Sequence, residues 1–311
     1  MNLALLCLFL SFLQACAGAP PPGAETTPSE LTSLEILVQS DSRGEVYPCK
    51  CPGNPAGGLS RRSGLHKHLL AQYKNALVLE GGDFSSELPS SEEALLVSQL
   101  MVEAMELMPY HAVAIGSREL FLGDSYLEQL ANSLPVVSAN LMGEKSPIPE
   151  LLWVHDRVLV TSILDPLIYY EWEGALTAER SHILIEDPSV ALGRLQDKTL
   201  QAQFTVVLAQ MSLDRILELA PSHPEVDVWV QAHEPEKSEN PGRVGDQNAL
   251  VLEPGPRSRE IMGVFLTQGA EDDWDVRTRF WDLKRSMHLD QRVESLLETF
   301  KQAHPDIDLE P

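Results

Sequence analysis

Short apolar and β-branched runs alternate along the chain with segments of helical periodicity, starting at Leu34. This alternation is typical of parallel strands joined by crossover helices in an α/β layer architecture. It predicts strands at 35–39, 76–80, 111–115, 157–163, 204–209, 226–231 and 249–252. It predicts helices at 59–73, 91–107, 124–134, 188–201, 212–220 and 290–302. Two late strands, near 261–266 and 276–283, have no helix between them and therefore indicate an antiparallel edge.

The N-terminal segment has a different pattern. Residues 3–13 are apolar except for Ser11, and this run is too short to span a bilayer but has the length of a signal-peptide apolar region. A small residue precedes Cys16, as in the lipobox at which bacterial lipoproteins are cleaved and acylated. We therefore expect residues 1–16 to be a lipoprotein-type signal peptide and Cys16 to be lipidated. The protein would face the periplasm of a bacterial cell envelope, with a simple secretory signal or a retained segment as alternatives.

The remaining chain divides by composition. Residues 17–33 are rich in Pro, Ala and Thr, which favours an extended tether. Residues 34–285 contain the alternating pattern and are predicted to form one domain, followed by a C-terminal helix and tail at 286–311.

Charge narrows the classes of partner. The 311 residues include 46 acidic and 23 basic side chains, so the formal net charge is −23, while 43% apolar residues are enough for a large core. Nucleic acid is excluded as an expected partner because its binding requires a basic surface. Electrostatic attraction to anionic lipid is disfavoured for the same reason, so membrane contact is expected only through a lipid anchor.

Polar motifs follow four of the predicted strands. They are SDSRG at 40–44, GGD at 81–83, GSRE at 116–119 and AHEP at 232–235. In α/β proteins the loops that leave the carboxyl ends of the strands carry the chemistry. These four loops are therefore the candidate functional site.

The order of these motifs resembles the 5′-nucleotidase and cyclic-nucleotide phosphodiesterase branch of the calcineurin-like metallophosphoesterases, whose signatures are D-x-H-G, G-D, G-N-H-E and G-H-x-H. GGLSRR at 57–62 is similar to the family's G-G-x-A-R segment, and PVVSAN at 135–140 to its P-v-l-s-A-N segment. Residues 250–263 resemble the strand pair after the last motif, so the resemblance covers about residues 34 to 283. It implies an αββα sandwich of two mixed β-sheets flanked by helices.

The resemblance also implies a site where two divalent ions activate water and neutralise a phosphate ester. Carried over by position, Asp41, Asp83 and His233 are the candidate metal ligands. Pro235 replaces the final His of the family, and the strand at 204–209 leads to Gln210 where the family has another metal-binding His.

Three further positions depart from the family: Arg43 stands in place of His, Ser117 in place of Asn, and Arg118 in place of the His that serves the leaving group. Arginine offers only hydrogen-bond donors and cannot bind a cation. Classical two-metal hydrolysis is therefore expected to be lost or much reduced, with one Mn²⁺, Mg²⁺ or Zn²⁺ ion bound or none. An active phosphoesterase with a modified metal site remains an alternative.

Two other interpretations concern the arginines. Arg43, Ser117 and Arg118 could bind a small anionic or phosphate-ester ligand, because guanidinium groups pair bidentately with such anions. Alternatively, Arg43 pairs with Asp41 or Asp83 as a vestige of the former site.

A final motif, Cys49-Lys50-Cys51, lies between two prolines and resembles a divergent C-x-C-containing nucleotidase-like group. Export would allow a disulfide to persist, and so small a ring would be easily reduced. The pair is thus a candidate for redox catalysis with an unknown partner, for a passive bond in an exposed turn, or for metal capture by two thiolates. His66 and His68 are not expected to join one ion with it, because helical neighbours two apart point in different directions.

Overall fold

The computed structural model describes residues 31–50, 52, 55–86, 92–143, 148–173, 183–245, 249–269, 274–284 and 287–309. The predicted signal peptide with Cys16, most of the predicted tether, and Cys51 lie outside the described residues. None of the described helices is both long and apolar enough to cross a membrane.

The strands are β1 (Ser33–Gln39), β2 (Leu77–Glu80), β3 (Ala112–Ala114), β4 (Val136–Val137), β5 (Leu141–Met142), β6 (Leu152–Val154), β7 (Val158–Leu164), β8 (Leu184–Ile185), β9 (Phe204–Gln210), β10 (Val228–Gln231), β11 (Gly242–Val244), β12 (Ala249–Leu252), β13 (Glu260–Gln268) and β14 (Trp274–Asp282). The helices are α1 (Leu59–Gln72), α2 (Glu92–Glu106), α3 (Ser117–Phe121), α4 (Asp124–Ser133), α5 (Pro166–Glu173), α6 (Pro188–Thr199), α7 (Leu213–Leu219) and α8 (Gln291–Ala303).

These strands form two mixed six-stranded sheets. The first has the order β14-β13-β1-β2-β3-β4, with β1 to β4 parallel and β13 antiparallel to both of its neighbours. The second has the order β11-β12-β10-β9-β7-β6, with a parallel centre and an antiparallel strand at each edge. Strands β5 and β8 form a separate antiparallel pair.

Apolar residues on both faces of the central strands hold the layers together. On β9, Val206 and Leu208 pack against the first sheet, while Val207 and Ala209 face α6 and α7. A strand buried on both faces has a continuous apolar sequence, as seen in FTVVLA at 204–209. Helices α1, α2, α4 and α8 cover the outer face of the first sheet. The predicted αββα sandwich is therefore confirmed.

Asp290 attaches α8 to α1. Its carboxylate caps α8 through the backbone N–H of Arg292, and it also accepts hydrogen bonds from Ser63 Oγ at 2.6 Å and Arg292 Nη2 at 2.9 Å. Lys67 Nζ lies 2.7 Å from the same carboxylate. Burial opposes ionisation, but Arg292, Lys67 and Ser63 outweigh it and hold the pKa of Asp290 well below its ordinary value.

The shortest elements escaped sequence analysis. β4, β5 and β8 have two residues each, and β6 and β11 have three, so none is long enough to show a period. The antiparallel edge predicted from the late strands is present as β13 and β14.

Candidate functional site

The four predicted loops meet where the carboxyl ends of β1, β2, β3 and β10 come together. The backbone N–H of Asp41 donates to Gly82 O at 2.9 Å, which joins the first two loops. Asp83 then contacts Ser117 of the third loop and His233 of the fourth. The structure therefore brings the four predicted segments together.

Left-handed backbone shapes these loops. Asp41, Arg43, Asp83 and Glu234 have φ values of 60°, 50°, 53° and 44°, a region that non-glycine residues seldom adopt. Gly116 permits a close approach, because a Cβ there would lie 2.3 Å from Asp83 Oδ1. Such strain is typical of functional sites, where the surrounding structure must hold it in place.

Arg43 engages both carboxylate oxygens of Asp41. Its Nε lies 2.8 Å from Oδ1 and its Nη2 lies 2.9 Å from Oδ2, while Nη2 also donates to Glu234 Oε1 at 3.0 Å. Asp41 is fully buried, and burial raises its pKa to about 6 although Arg43 lowers it. The sequence left open whether Arg43 pairs with Asp41 or with Asp83, and in the structure it pairs with Asp41.

Asp83 is surrounded by donors. Its Oδ1 accepts hydrogen bonds from the backbone N–H of Arg118 at 3.0 Å and from Ser117 Oγ at 3.3 Å. His233 Nδ1 lies 2.8 Å from Oδ2. Burial alone would raise the pKa of Asp83, but His233 and Arg118 hold it below its ordinary value. Burial lowers the pKa of His233, but the hydrogen bond to Asp83 and its charge raise it overall, so Asp83 favours the protonated imidazole.

Glu119 links the second and third loops. Its Oε2 accepts from the backbone N–H groups of Asp83 at 3.0 Å and Gly116 at 2.8 Å, and its Oε1 accepts from that of Ser85 at 2.9 Å. Burial and the charge of Asp83 raise the pKa of Glu119 to about 7. Sequence analysis gave this residue no role, although it ends the GSRE motif and could have been found there.

Gln210 crosses between the two sheets at the same edge. Its Nε2 donates to Gly81 O at 2.5 Å and to Ala232 O at 3.4 Å, and the side chain is fully buried. Ser40 Oγ donates to the same carbonyl of Ala232. The amide thus fastens loops of both sheets where the resembling family has a metal-binding His.

These residues do not fit a two-metal centre. A divalent ion needs carboxylate lone pairs, but the oxygens of Asp41 accept from Arg43 and those of Asp83 face Ser117, the Arg118 amide and His233. A guanidinium beside the ions would also repel them. Across the described ranges, no three His, Cys, Asp or Glu side chains are grouped so that they could hold a metal.

Cys49 belongs to a separate part of the first long loop. It is disulfide-bonded and 5% exposed, its N–H donates to Ala56 O at 2.9 Å, and its Sγ accepts from Ala56 N at 3.4 Å. The chain's other cysteines lie outside the described residues. On α1, His66 is buried and His68 is exposed, which confirms that they do not converge.

Solved structures share this fold. A 5′-nucleotidase precursor from Thermus thermophilus superposes with a TM-score of 0.72 at 19% identity, covering 87% of this chain and 59% of that chain. The sulfate thiohydrolase SoxB of the same organism gives 0.72 at 17% identity, covering 93% and 62%. The calcineurin-like phosphoesterase YfkN of Bacillus subtilis gives 0.64 at 16% identity, covering 88% and 97%.

The chain thus has the fold of the 5′-nucleotidase-like metallophosphoesterases, which confirms the architecture implied by its motifs. It spans about three fifths of the first two structures, at 59% and 62% of their lengths. No family model matches the sequence, and no curated protein matches it.

Proposed function

We propose that this chain is an exported protein of 5′-nucleotidase-like fold in which an internal ion-paired site replaces classical two-metal phosphate-ester hydrolysis. The observation that carries the proposal is the bidentate contact of Arg43 with Asp41, at 2.8 and 2.9 Å. Charge-assisted pairs of this geometry are among the strongest side-chain contacts. They commit a carboxylate that hydrolysis would need for a metal ion.

The second carboxylate supports the same conclusion. Asp83 is fully buried and pairs with His233, which could otherwise offer a ring nitrogen to an ion. This contact raises the pKa of His233 and so disfavours the neutral ring that a metal ion requires. Asp83 and His233, two of the three candidate metal ligands, therefore contact each other.

The test measures hydrolysis by the purified, export-processed protein. p-Nitrophenyl phosphate and 5′-AMP are incubated with Mn²⁺, Mg²⁺ or Zn²⁺, beside Asp83→Ala as the matched inactive control and an active calcineurin-like phosphoesterase as the positive control. We expect no metal-dependent turnover above that of Asp83→Ala. Turnover that requires the metal and disappears in Asp83→Ala would establish instead an active phosphoesterase with a modified site.

We extend the proposal to a ligand. A small anionic or phosphate-ester ligand would be recognised by the guanidinium and hydroxyl donors of Arg43, Ser117 and Arg118, in competition with Asp41 and Asp83, which now accept from Arg43 and Ser117. Phosphate should then raise the melting temperature, and Arg118→Ala should remove that rise. A rise of equal size in Arg118→Ala would place the anion elsewhere.

We also propose export with a lipid anchor at Cys16, on the basis of the apolar run at 3–13 and the small residue before this cysteine. Expression in a bacterium with labelled palmitate should label the wild-type chain but not Cys16→Ser. Release of an unlabelled, processed chain into the periplasm would favour the simple secretory signal.

A second candidate function is thiol redox catalysis at Cys49-Lys50-Cys51, which we propose from the short spacing of the two cysteines and the disulfide-bonded state of Cys49. Titration with glutathione buffers should then show a bond that is reduced under mildly reducing conditions, whereas a passive bond would resist the glutathione pool. Lys50→Ala is an informative variant, because a neighbouring lysine lowers a thiol pKa.

A further inference from the structure

A buried polar group lies beneath the candidate site, between α1 and the first sheet. It consists of Gln39, Arg62, His66, Glu80 and Tyr110, called here the Arg62–Glu80 cluster. All five are at least nine-tenths buried, with Glu80 at 0% and both Arg62 and His66 at 1% exposure. Arg62 and His66 are one turn apart on α1, and Gln39 and Glu80 are the last residues of β1 and β2.

Direct contacts within the cluster are few. Gln39 Nε2 donates to Glu80 Oε2 at 3.0 Å and contacts Tyr110 OH at 2.6 Å. Arg62 Nη1 lies 3.8 Å from Glu80 Oε2, which is too far for a hydrogen bond. The ring of His66 meets that of Tyr110 edge-on, with centroids 5.5 Å apart. Tyr110 OH also donates to Glu80 Oε2, at a long 3.5 Å. Arg62 and Glu80 therefore form an ion pair without a direct hydrogen bond between them.

Several buried donors and acceptors of the Arg62–Glu80 cluster are not satisfied by contacts within it. Among the residues that the structure describes, these buried atoms have no hydrogen-bond partner: Gln39 Oε1, Arg62 Nε and Nη1, His66 Nδ1 and Nε2, and Glu80 Oε1. A buried polar atom without a partner costs about 1–3 kcal/mol, and native proteins satisfy nearly all such atoms. Six of them in one cluster indicate a bound species.

The mixture of donors and acceptors identifies its class. Arg62 Nε and Nη1 can only donate, Gln39 Oε1 can only accept, and Glu80 Oε1 accepts when its carboxyl is ionised. Burial raises the pKa of Glu80 to about 7, although Arg62 and Gln39 lower it. Burial and the nearby charge of Arg62 lower the pKa of His66 to about 3, so its neutral ring supplies one donor and one acceptor. A cation would satisfy only the acceptors and an anion only the donors, but water satisfies both.

We propose that the Arg62–Glu80 cluster is an internal water-binding site that holds at least two water molecules. A buried water makes about three hydrogen bonds, so the six atoms require about two waters. These waters would connect Arg62 to Glu80 and would fix the ends of β1 and β2. The loops that carry Asp41 and Asp83 follow directly from those ends.

A high-resolution crystal structure of the unaltered protein is the first test. We expect at least two ordered waters, each within about 3.2 Å of two or more of the six atoms. Direct pairing of these atoms with one another, without solvent density between them, would overturn the proposal. An ion identified by its anomalous signal would also overturn it.

Magnetic relaxation dispersion of water nuclei gives a second test in solution, because it counts long-lived internal waters. His66→Phe replaces both ring nitrogens by carbon and should remove at least one such water. The matched variant His68→Phe changes an exposed ring on the same helix and should remove none. Equal counts in the two folded variants would contradict the proposal, and if His66→Phe fails to fold, the crystallographic test decides alone.

Discussion

Replacing Arg43 by methionine should raise the affinity of the candidate site for divalent ions. The substitution removes the guanidinium that lies 2.8 and 2.9 Å from the oxygens of Asp41, while a long unbranched side chain remains. Backbone strain at this position, where φ is 50°, is unchanged in kind because both residues carry a Cβ. The variant removes the contact of Arg43 with Asp41 together with its contact to Glu234.

The expected size follows from the geometry. Each hydrogen bond to a charged group contributes about 1.5–3 kcal/mol, and a metal ion that takes Asp41 must displace both. The lower limit for the two hydrogen bonds together is about 3 kcal/mol, which corresponds to about two orders of magnitude in the Kd of the metal ion. The Arg43 side chain is only 16% exposed, so solvent screening reduces this value modestly.

Isothermal titration with Mn²⁺ measures the difference. Arg259→Met is the matched control, because Arg259 makes its bidentate contact with Glu45, at 3.0 and 2.6 Å, and not with Asp41. We expect Arg43→Met to bind Mn²⁺ about 100-fold more tightly than the wild type, and Arg259→Met to match the wild type. If Arg43→Met and the wild type agree within about threefold, the guanidinium is not what keeps metal from Asp41.

Two further predictions concern the helical layer. Asp290→Asn should lower the free energy of unfolding by about 2 kcal/mol at pH 7, as measured by urea denaturation, because it removes a charged acceptor from Ser63 and Lys67. Glu298→Gln, on the exposed surface of α8, is the control and should change the free energy of unfolding by less than about 0.5 kcal/mol. Because the pKa of Asp290 is depressed in the folded state, its contribution to stability is complete above the unfolded pKa of about 3.9 and is lost as the pH falls. The difference in unfolding free energy between the wild type and Asp290→Asn should therefore shrink by about 1 kcal/mol at pH 3. A difference that does not change with pH would refute the stabilising role of the Asp290 carboxylate. Gly64→Ala should destabilise the protein by at least about 2 kcal/mol, because the new Cβ on α1 would lie 1.9 Å from His288 O. Gly193→Ala on α6, where a Cβ would meet nothing within 4 Å, should stabilise the protein by about 0.5–1 kcal/mol. Melting temperatures that shift in the same direction in the two variants would contradict this contrast.

The sequence predicted the long elements because their burial leaves a clear pattern. β9 and β12 are apolar on both faces, and their bounds differ from prediction by at most one residue. β4 is part of the PVVSAN segment, which was noted only as a motif. Its two residues pair with β3, and such a pairing depends on tertiary contacts that leave no period in the sequence.

At the site, sequence analysis named residues that the structure brings together, but it did not predict all of their partners. It placed Asp41, Asp83 and His233 together because each follows a strand that ends at the same edge. It left open whether Arg43 would meet Asp41 or Asp83, because that choice depends on the left-handed backbone at residues 41 and 43. The GSRE motif contains Glu119, but its acceptance of three backbone N–H groups depends on the folded loops and was not predicted.

The left-handed residues of the loops have a consequence for protein engineering. Four strained non-glycine positions keep the shape of these loops, with side chains that no longer match a metal centre. The backbone conformation of these loops is thus compatible with side chains other than those of a metal centre. A designer could therefore install histidines at positions 43, 118 and 235 without rebuilding a loop, and could measure how many substitutions are needed for metal-dependent hydrolysis.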